Sequence, residues 1–280
     1  MRMKGVRSLR ELTRILDVDQ RLRRICLIKK DEGGYPRSVL SRFTHRVGAD
    51  VLQLIIEEKV IMLLRRSRVT EVDVVLDASF LKAWSTRSPD DNQTGLSDPD
   101  ARVGRSGRSY GLGYKLHTSV DPRRILPLAN VLAPANDNEK RHAPTLVERT
   151  RMVLGRAGAR LRCLIGDSQY SSRRIRALAE RVVIPYMSNQ RCGEDVLRVD
   201  RLFRVHGPAG EVEEYRKRPA VEALFAFVKA QYGLNVNRVR GLVNVSVYAL
   251  LSVLCCVLNR EAAENLGRPD KALSPTFFNV

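Results

Sequence analysis

Three acids and three partners stand where they could do chemistry. Asp77 ends a β-branched run in VDVVLDASF, and Asp167 ends another in RLRCLIGD. Glu222 lies within YRKRPAVEALFAFVK, seven residues after Tyr215, four after Arg218 and seven before Lys229. Converging carboxylates repel one another, and a divalent cation with oxygen ligands, most often magnesium, relieves the repulsion and recruits phosphate oxygens. Two such ions about 3.5–4 Å apart can activate an attacking oxygen and stabilise a leaving one in phosphodiester cleavage. At about 100° per residue, positions 215, 218, 222 and 229 fall within roughly 60° on a helix, so their polar groups share one side. Leu224, Phe225 and Val228 turn elsewhere, toward a core. Pro219 suits a first helical position, which places Tyr215 and Arg218 on the approaching turn. An acid bracketed by an Arg and a Lys that hold adjacent phosphates is what cutting a DNA strand requires. Singly, each acid has a plainer reading: Asp77 as a turn partner, Asp167 as a helix cap, Glu222 as a surface partner of Arg218. Their joint presence points to metal-dependent phosphoryl transfer on nucleic acid.

The charge balance agrees. The 280 residues carry a formal net charge of +18 and a pI near 10.3, with ordinary apolar (44%) and charged (29%) fractions. Such a folded basic chain favours a polyanion, and nucleic acid before a membrane surface. Five scattered cysteines with no CxxC pair read as reduced thiols of a cytoplasmic protein. The start, MRMKGVRSLRELTRIL, has no apolar stretch of signal-peptide length, and GLVNVSVYALLSVLCCVLN reads as a buried C-terminal helix rather than a membrane span. His45, His117, His142 and His206 read as structural or DNA-facing groups rather than metal ligands.

The elements that must position these residues follow from period and punctuation. Residues 1–70 read as a basic, all-helical DNA-binding segment: SLRELTRIL opens on Ser8 with Glu11 at capping-box spacing, GGYPRSVLSRFTHRVG follows as a turn and short helix, and ADVLQLIIEEKVIMLLRRS as a longer helix. Residues 71–263 then alternate three strands, helix, strand, helix, strand, helix, a mixed α/β sheet flanked by helices on the ribonuclease H-like plan. A polar loop follows the first strand, and the stretch before residue 214 reads as irregular. First and fourth strands are neighbours in this plan, so Asp77 and Asp167 meet beyond the strand ends, where open α/β sheets build their sites. Residues 264–280 form a tail.

YRKRPAVEALFAFVK fits the Y-x2-R-x3-E-x6-K signature of DDE transposases of the insertion-sequence family 4 type, at Tyr215, Arg218, Glu222 and Lys229. VVLDASF resembles that family's first-aspartate strand, DPDARVGRSGRSYGLGYKLH and LPLANVLAPANDNE its next two strands, and LIGDSQYSS its second-aspartate strand. The similarity spans about residues 70–260. It implies a ribonuclease H-like fold, a catalytic and metal-binding triad of Asp77, Asp167 and Glu222, and DNA contacts from Tyr215, Arg218 and Lys229. It also implies two Mg²⁺ ions with Mn²⁺ as a substitute, double-stranded DNA as transposon ends and target, and a homodimer on paired ends. The expected function is that of a bacterial or archaeal insertion-sequence transposase acting at the nucleoid, cutting element ends and joining the 3′-hydroxyl to target DNA. Alternatives are a ribonuclease H-like nuclease without strand transfer, or a catalytically decayed DNA-binding repressor. Two departures stand out. Gln169 occupies the position before the tyrosine where the family usually has glycine, and the gap from Asp167 to Glu222 (222 − 167 = 55) leaves little room for a β-rich insertion domain.

Overall fold

The computed structural model describes residues 6, 8–29, 31–235, 238–274 and 277. Residues 1–5 and 7 of the expected N-terminal segment, and 275, 276 and 278–280 of the expected tail, lie outside the described residues.

The chain opens with α1 (Leu9–Val18) and α2 (Gln20–Ile25). Their caps are side chains: Ser8 Oγ accepts from the Glu11 N–H at 3.1 Å, and Asp19 Oδ1 from the Leu22 N–H at 2.9 Å. The two further helices expected here form one run, α3 (Arg37–Arg66), broken at Gly48, where φ 67 and ψ 178 leave helical space. Only glycine occupies that region without strain. Beyond the break α3 turns apolar, burying Leu52, Ile56, Val60, Ile61, Leu63 and Leu64. Each such side chain contributes about 1.5–3 kcal/mol when fully buried.

The main sheet is built from β1 (Glu71–Lys82), β2 (Arg102–Ser106), β3 (Ser109–Asp121), β4 (Leu126–Pro134), β5 (Arg160–Gly166) and β6 (Val182–Val183). Across it the order is β4, β3, β1, β5, β6, with β1, β3 and β4 antiparallel in sequence and β5 and β6 parallel to β1. That antiparallel meander followed by parallel crossovers is the ribonuclease H-like arrangement. β2 is an addition: the end of the loop read as polar returns as a hairpin on the start of β3. Gly113 explains how three strands fit there, because a Cβ on it would lie 2.0 Å from the Leu81 carbonyl oxygen.

Three helices cover the two faces of the sheet. α4 (Glu139–Ala157) lies on one face, where Thr150 Oγ1 meets Ser119 Oγ at 2.6 Å. On the other, Asn130 reaches Gln53 of α3 at 3.5 Å, and α8 (Leu242–Asn265) packs along α3 and over β4. α8 is long and apolar enough to cross a membrane, yet Val245, Leu250, Val253, Cys256 and Val257 are buried among these elements, as the core-helix reading expects.

A short 3₁₀ turn (Ser168–Tyr170) and α5 (Arg173–Arg176) follow β5. The run VVIPYMS, read as one strand, is two: β6 joins the main sheet, and β7 (Tyr186–Met187) joins a second sheet with β8 (Arg198–Val199) and β9 (Val205–His206). Pro185 lies between β6 and β7 and has no N–H to give a ladder. The stretch read as irregular therefore holds this small sheet and α6 (Ala209–Tyr215), and α7 (Pro219–Tyr232) comes next.

Candidate active site

β1 and β5 deliver the first two acids. Their parallel pairing ends at Leu76 beside Gly166, and the next residue on each strand is Asp77 and Asp167. β1 itself continues to Lys82, paired with β3 alone, so Asp77 stands at the end of the parallel pairing and not at the end of its strand as read. Asp77 Oδ1 accepts from the Ala78 N–H at 2.8 Å. Asp167 caps the 3₁₀ turn, its Oδ1 accepting from the Gln169 N–H at 2.9 Å. Gln169 keeps a negative φ, so the turn forms without the glycine common in the family.

Both carboxyls are raised in pKa. Burial pushes Asp77 up to about 6, with the negative charges of Asp167 and Glu139 adding to it, against the Ala78 N–H and Arg218, which pull it down. Burial likewise raises Asp167, helped by Glu139 and opposed by Arg218 and the Gln169 and Tyr170 N–H groups. The site is short of positive charge.

The third acid comes from α7, which begins at Pro219 as that residue's fit to a first helical position predicts. Tyr215, Arg218 and Glu222 do not share one helix: Tyr215 ends α6, residues 216–218 form a tight joint, and α7 begins at Pro219. Proline at the first helical position lacks the N–H that continuing α6 would use. The joint still brings the polar groups together. Arg218 bridges two of the acids, with Nη1 3.4 Å from Asp77 Oδ2 and Nη2 2.7 Å from Glu222 Oε1. Burial opposes the charge on Arg218, but Tyr215 and the three acids hold its pKa above the ordinary value. Tyr215 packs against the core, its hydroxyl pKa raised by burial. Lys229 lies two turns beyond Glu222, roughly 10 Å along the helix axis. It is half-buried, its pKa is lowered by burial alone, and among the described residues no carboxylate pairs with it.

The structure thus groups Asp77, Asp167 and Tyr215 about Arg218, joins Glu222 to them through that arginine, and leaves Lys229 further along the helix of Glu222. Among the described residues no set of three or more His, Cys, Asp or Glu side chains is arranged to hold a metal ion. The donor chemistry nevertheless fits a hard divalent cation: two half-buried, adjacent carboxylates with raised pKa are oxygen ligands short of counter-charge. Glu222, 57% exposed, is held by a pair of a kind worth about 0.3–0.5 kcal/mol, which a divalent cation readily displaces.

Two neighbours were not singled out in the sequence. Glu139, the first residue of α4, acts electrostatically on both aspartates while paired with Lys115 at 2.9 Å. It closes the quoted run LPLANVLAPANDNE, so its signal was present. Tyr170 is fully buried beside the acids with its hydroxyl unpartnered. The histidines nearby are scaffold: His117 is buried against His142 at a ring separation of 4.5 Å, its pKa depressed to about 3 by burial and by the charges of His142 and Lys115.

Among solved structures, a cryo-EM structure of a piggyBac transposase synaptic complex with hairpin DNA aligns with 10% identity and a TM-score of 0.46, over 73% of this chain and 51% of that one. The chain thus spans about half the length of that structure's chain. No curated protein matches. The family model described as "Transposase DDE domain" matches residues 70–259, from the strand that carries Asp77 to the helix that follows Glu222. The chain belongs to the transposase DDE domain family.

Proposed function

We propose that the protein is the transposase of a bacterial or archaeal insertion sequence, cutting DNA at the element's ends and joining the freed 3′-hydroxyl to target DNA. Asp77, Asp167 and Glu222 are the catalytic acids. The observation that carries this reading is the pair of raised, adjacent carboxylates at the β1–β5 edge, with the Tyr215–Arg218–Glu222 joint closing over them.

These three acids would hold magnesium, two ions as the family resemblance implies, with manganese able to substitute. When bound, the ions supply Lewis-acid activation of the scissile phosphate and of the attacking water or 3′-hydroxyl. The chain's own groups do the rest. Arg218, released from Asp77 and Glu222, turns its guanidinium to a phosphate, where a bidentate contact replaces the carboxylates it leaves. Lys229, half-buried and without a carboxylate partner among the described residues, meets a neighbouring phosphate, and the desolvation that lowers its pKa strengthens the contact. Tyr215 packs behind Arg218 and fixes its approach. Paired ends would be held by two copies of the chain at the nucleoid, with residues 1–70 as the DNA-binding segment and 71–263 as the catalytic domain.

Asp77→Ala and Glu222→Ala should each reduce Mg²⁺-dependent nicking of end DNA by on the order of a thousandfold, the scale of several kcal/mol of lost charge stabilisation, while binding in a gel shift stays near normal. Normal cutting by either variant sinks the assignment. Supplying pre-cut ends and a target plasmid separates strand transfer from simple nuclease action, because only the former yields joined product.

A further inference from the structure

A second basic feature lies away from the acids. Seven residues of chain lead from Asp77 to Trp84 (84 − 77 = 7), at most about 23 Å at 3.3 Å per residue. There the N-terminal segment, the end of β1 and the loop entering α8 enclose a cavity of about 660 Å³. Its wall carries Arg10, Arg37, His45, Trp84, Arg238 and Arg240, and no Asp or Glu lines it among the described residues. The wall is held in place. Arg240 Nε donates to the Trp84 carbonyl at 3.1 Å, and Asn244 Nδ2 to the Arg240 carbonyl at 2.9 Å. The N–H groups of Gly241 and Leu242 donate to Asp98 and Asp100 at 3.0 and 2.9 Å, and Asp98, fully buried, also accepts from the Tyr114 hydroxyl of β3 at 2.6 Å. Trp84 keeps 51% of its surface exposed, with the Arg238 guanidinium 5.7 Å from its ring centre.

A cationic wall without acids favours an anion. The volume falls in the range of roughly 300–1,000 Å³ that encloses a drug-sized molecule, room for one or two nucleotides and too little for a duplex. An exposed indole flanked by guanidinium groups is the platform on which unpaired bases stack while arginines follow the backbone. We propose that this cavity binds one or two unpaired nucleotides of a DNA strand, with a base stacked on Trp84 and the flanking phosphates held by Arg10, Arg37, Arg238 and Arg240. The identity of the polymer rests on the DNA-cutting reading above. At about 3.4 Å of rise per nucleotide, the cavity lies within about seven nucleotides of the acids, and none of the three acids lines it, so it takes strand near the cut.

Trp84 is the sole tryptophan in the sequence, so its emission reports on this cavity alone. In EDTA, an oligothymidylate of about eight nucleotides should quench that emission, and a blunt duplex of the same length should leave it nearly unchanged. Replacing both Arg238 and Arg240 by Ala should flatten the salt dependence of oligothymidylate binding by about 1.4, two contacts at roughly 0.7 each for single strands. Followed by anisotropy of a labelled oligonucleotide, Trp84→Ala should bind about tenfold more weakly and Trp84→Phe nearly as well as the parent, since a ring is retained. Equal quenching by the duplex, or none by either, overturns the proposal. Cutting of element ends without quenching overturns this inference alone, whereas quenching in a chain that never cuts with magnesium preserves the cavity and removes the transposase reading.

Discussion

Two groups of charges flank the same joint, four residues apart on β1, and they differ in one respect. Around Asp73 the account balances: Arg162 lies 2.6 Å from Asp73 and 2.9 Å from Glu214, Lys217 lies 2.8 Å from Asp73 and also bonds Glu214. Burial works to raise the Asp73 pKa, but the hydrogen bonds from Arg162 and Lys217 outweigh it and the value falls below the ordinary one. Around Asp77, one arginine serves three acids and the pKa rises to about 6. The balanced group fastens β1, β5 and the α6–α7 joint to one another. The unbalanced group sits where that fastening presents it, and its deficit of positive charge is an opening for a cation. A buried ion cluster marks chemistry when its charges fail to cancel.

The comparison can be broken in several ways. The largest stability loss should come from Asp73→Ala, which strands Arg162 and Lys217 beside Glu214. Loss of one member of a buried pair costs about 3–5 kcal/mol, and because both bases are over a quarter exposed we expect about 2–3 kcal/mol in urea unfolding. A change below about 0.5 kcal/mol would show that the network fastens nothing. Asp77→Asn should act oppositely. A carboxyl with a raised folded pKa binds more protons folded than unfolded between its ordinary 3.8 and about 6, so stability contributed by this group falls as pH rises through that window. In EDTA at pH 7.5 the asparagine variant should therefore be more stable by on the order of 1–3 kcal/mol, with the gain gone by about pH 4; a gain independent of pH would assign it to packing. Smaller still, Lys229→Ala should flatten the salt dependence of end-DNA binding by about 0.9, one phosphate contact. An unchanged slope would place Lys229 off the DNA.

Much of the site was legible because an acid after an apolar β-branched run marks where parallel pairing stops, although β1 itself runs on past Asp77. VDVVLDASF and RLRCLIGD each close an apolar run on an acid, and a parallel neighbour relation turns two such endings into one edge. The joint was only half legible: Pro219 flagged a helix start, but nothing in the spacing says that Tyr215 belongs to a separate helix, since 3.6-residue periodicity runs through the gap unchanged. Asp73 escaped notice because an acid inside a strand looks like ordinary alternation until its partners, 89 and 144 residues away, are in view. The small second sheet was invisible for a different reason. Its strands are two residues long, below any period that could announce them.

The break at Gly48 reaches further than one residue. Arg37, Ser41, Thr44 and His45 all lie on the N-terminal side of it and all face the Trp84 cavity, while the apolar half beyond is locked into the core. One side of that cavity therefore hangs from a single backbone conformation, one that a Cβ at position 48 would strain by about 1–3 kcal/mol. A side chain there would straighten or redirect the rod and swing that whole side as a unit. The geometry of a cluster of residues along the chain is thus inherited from the single glycine of α3.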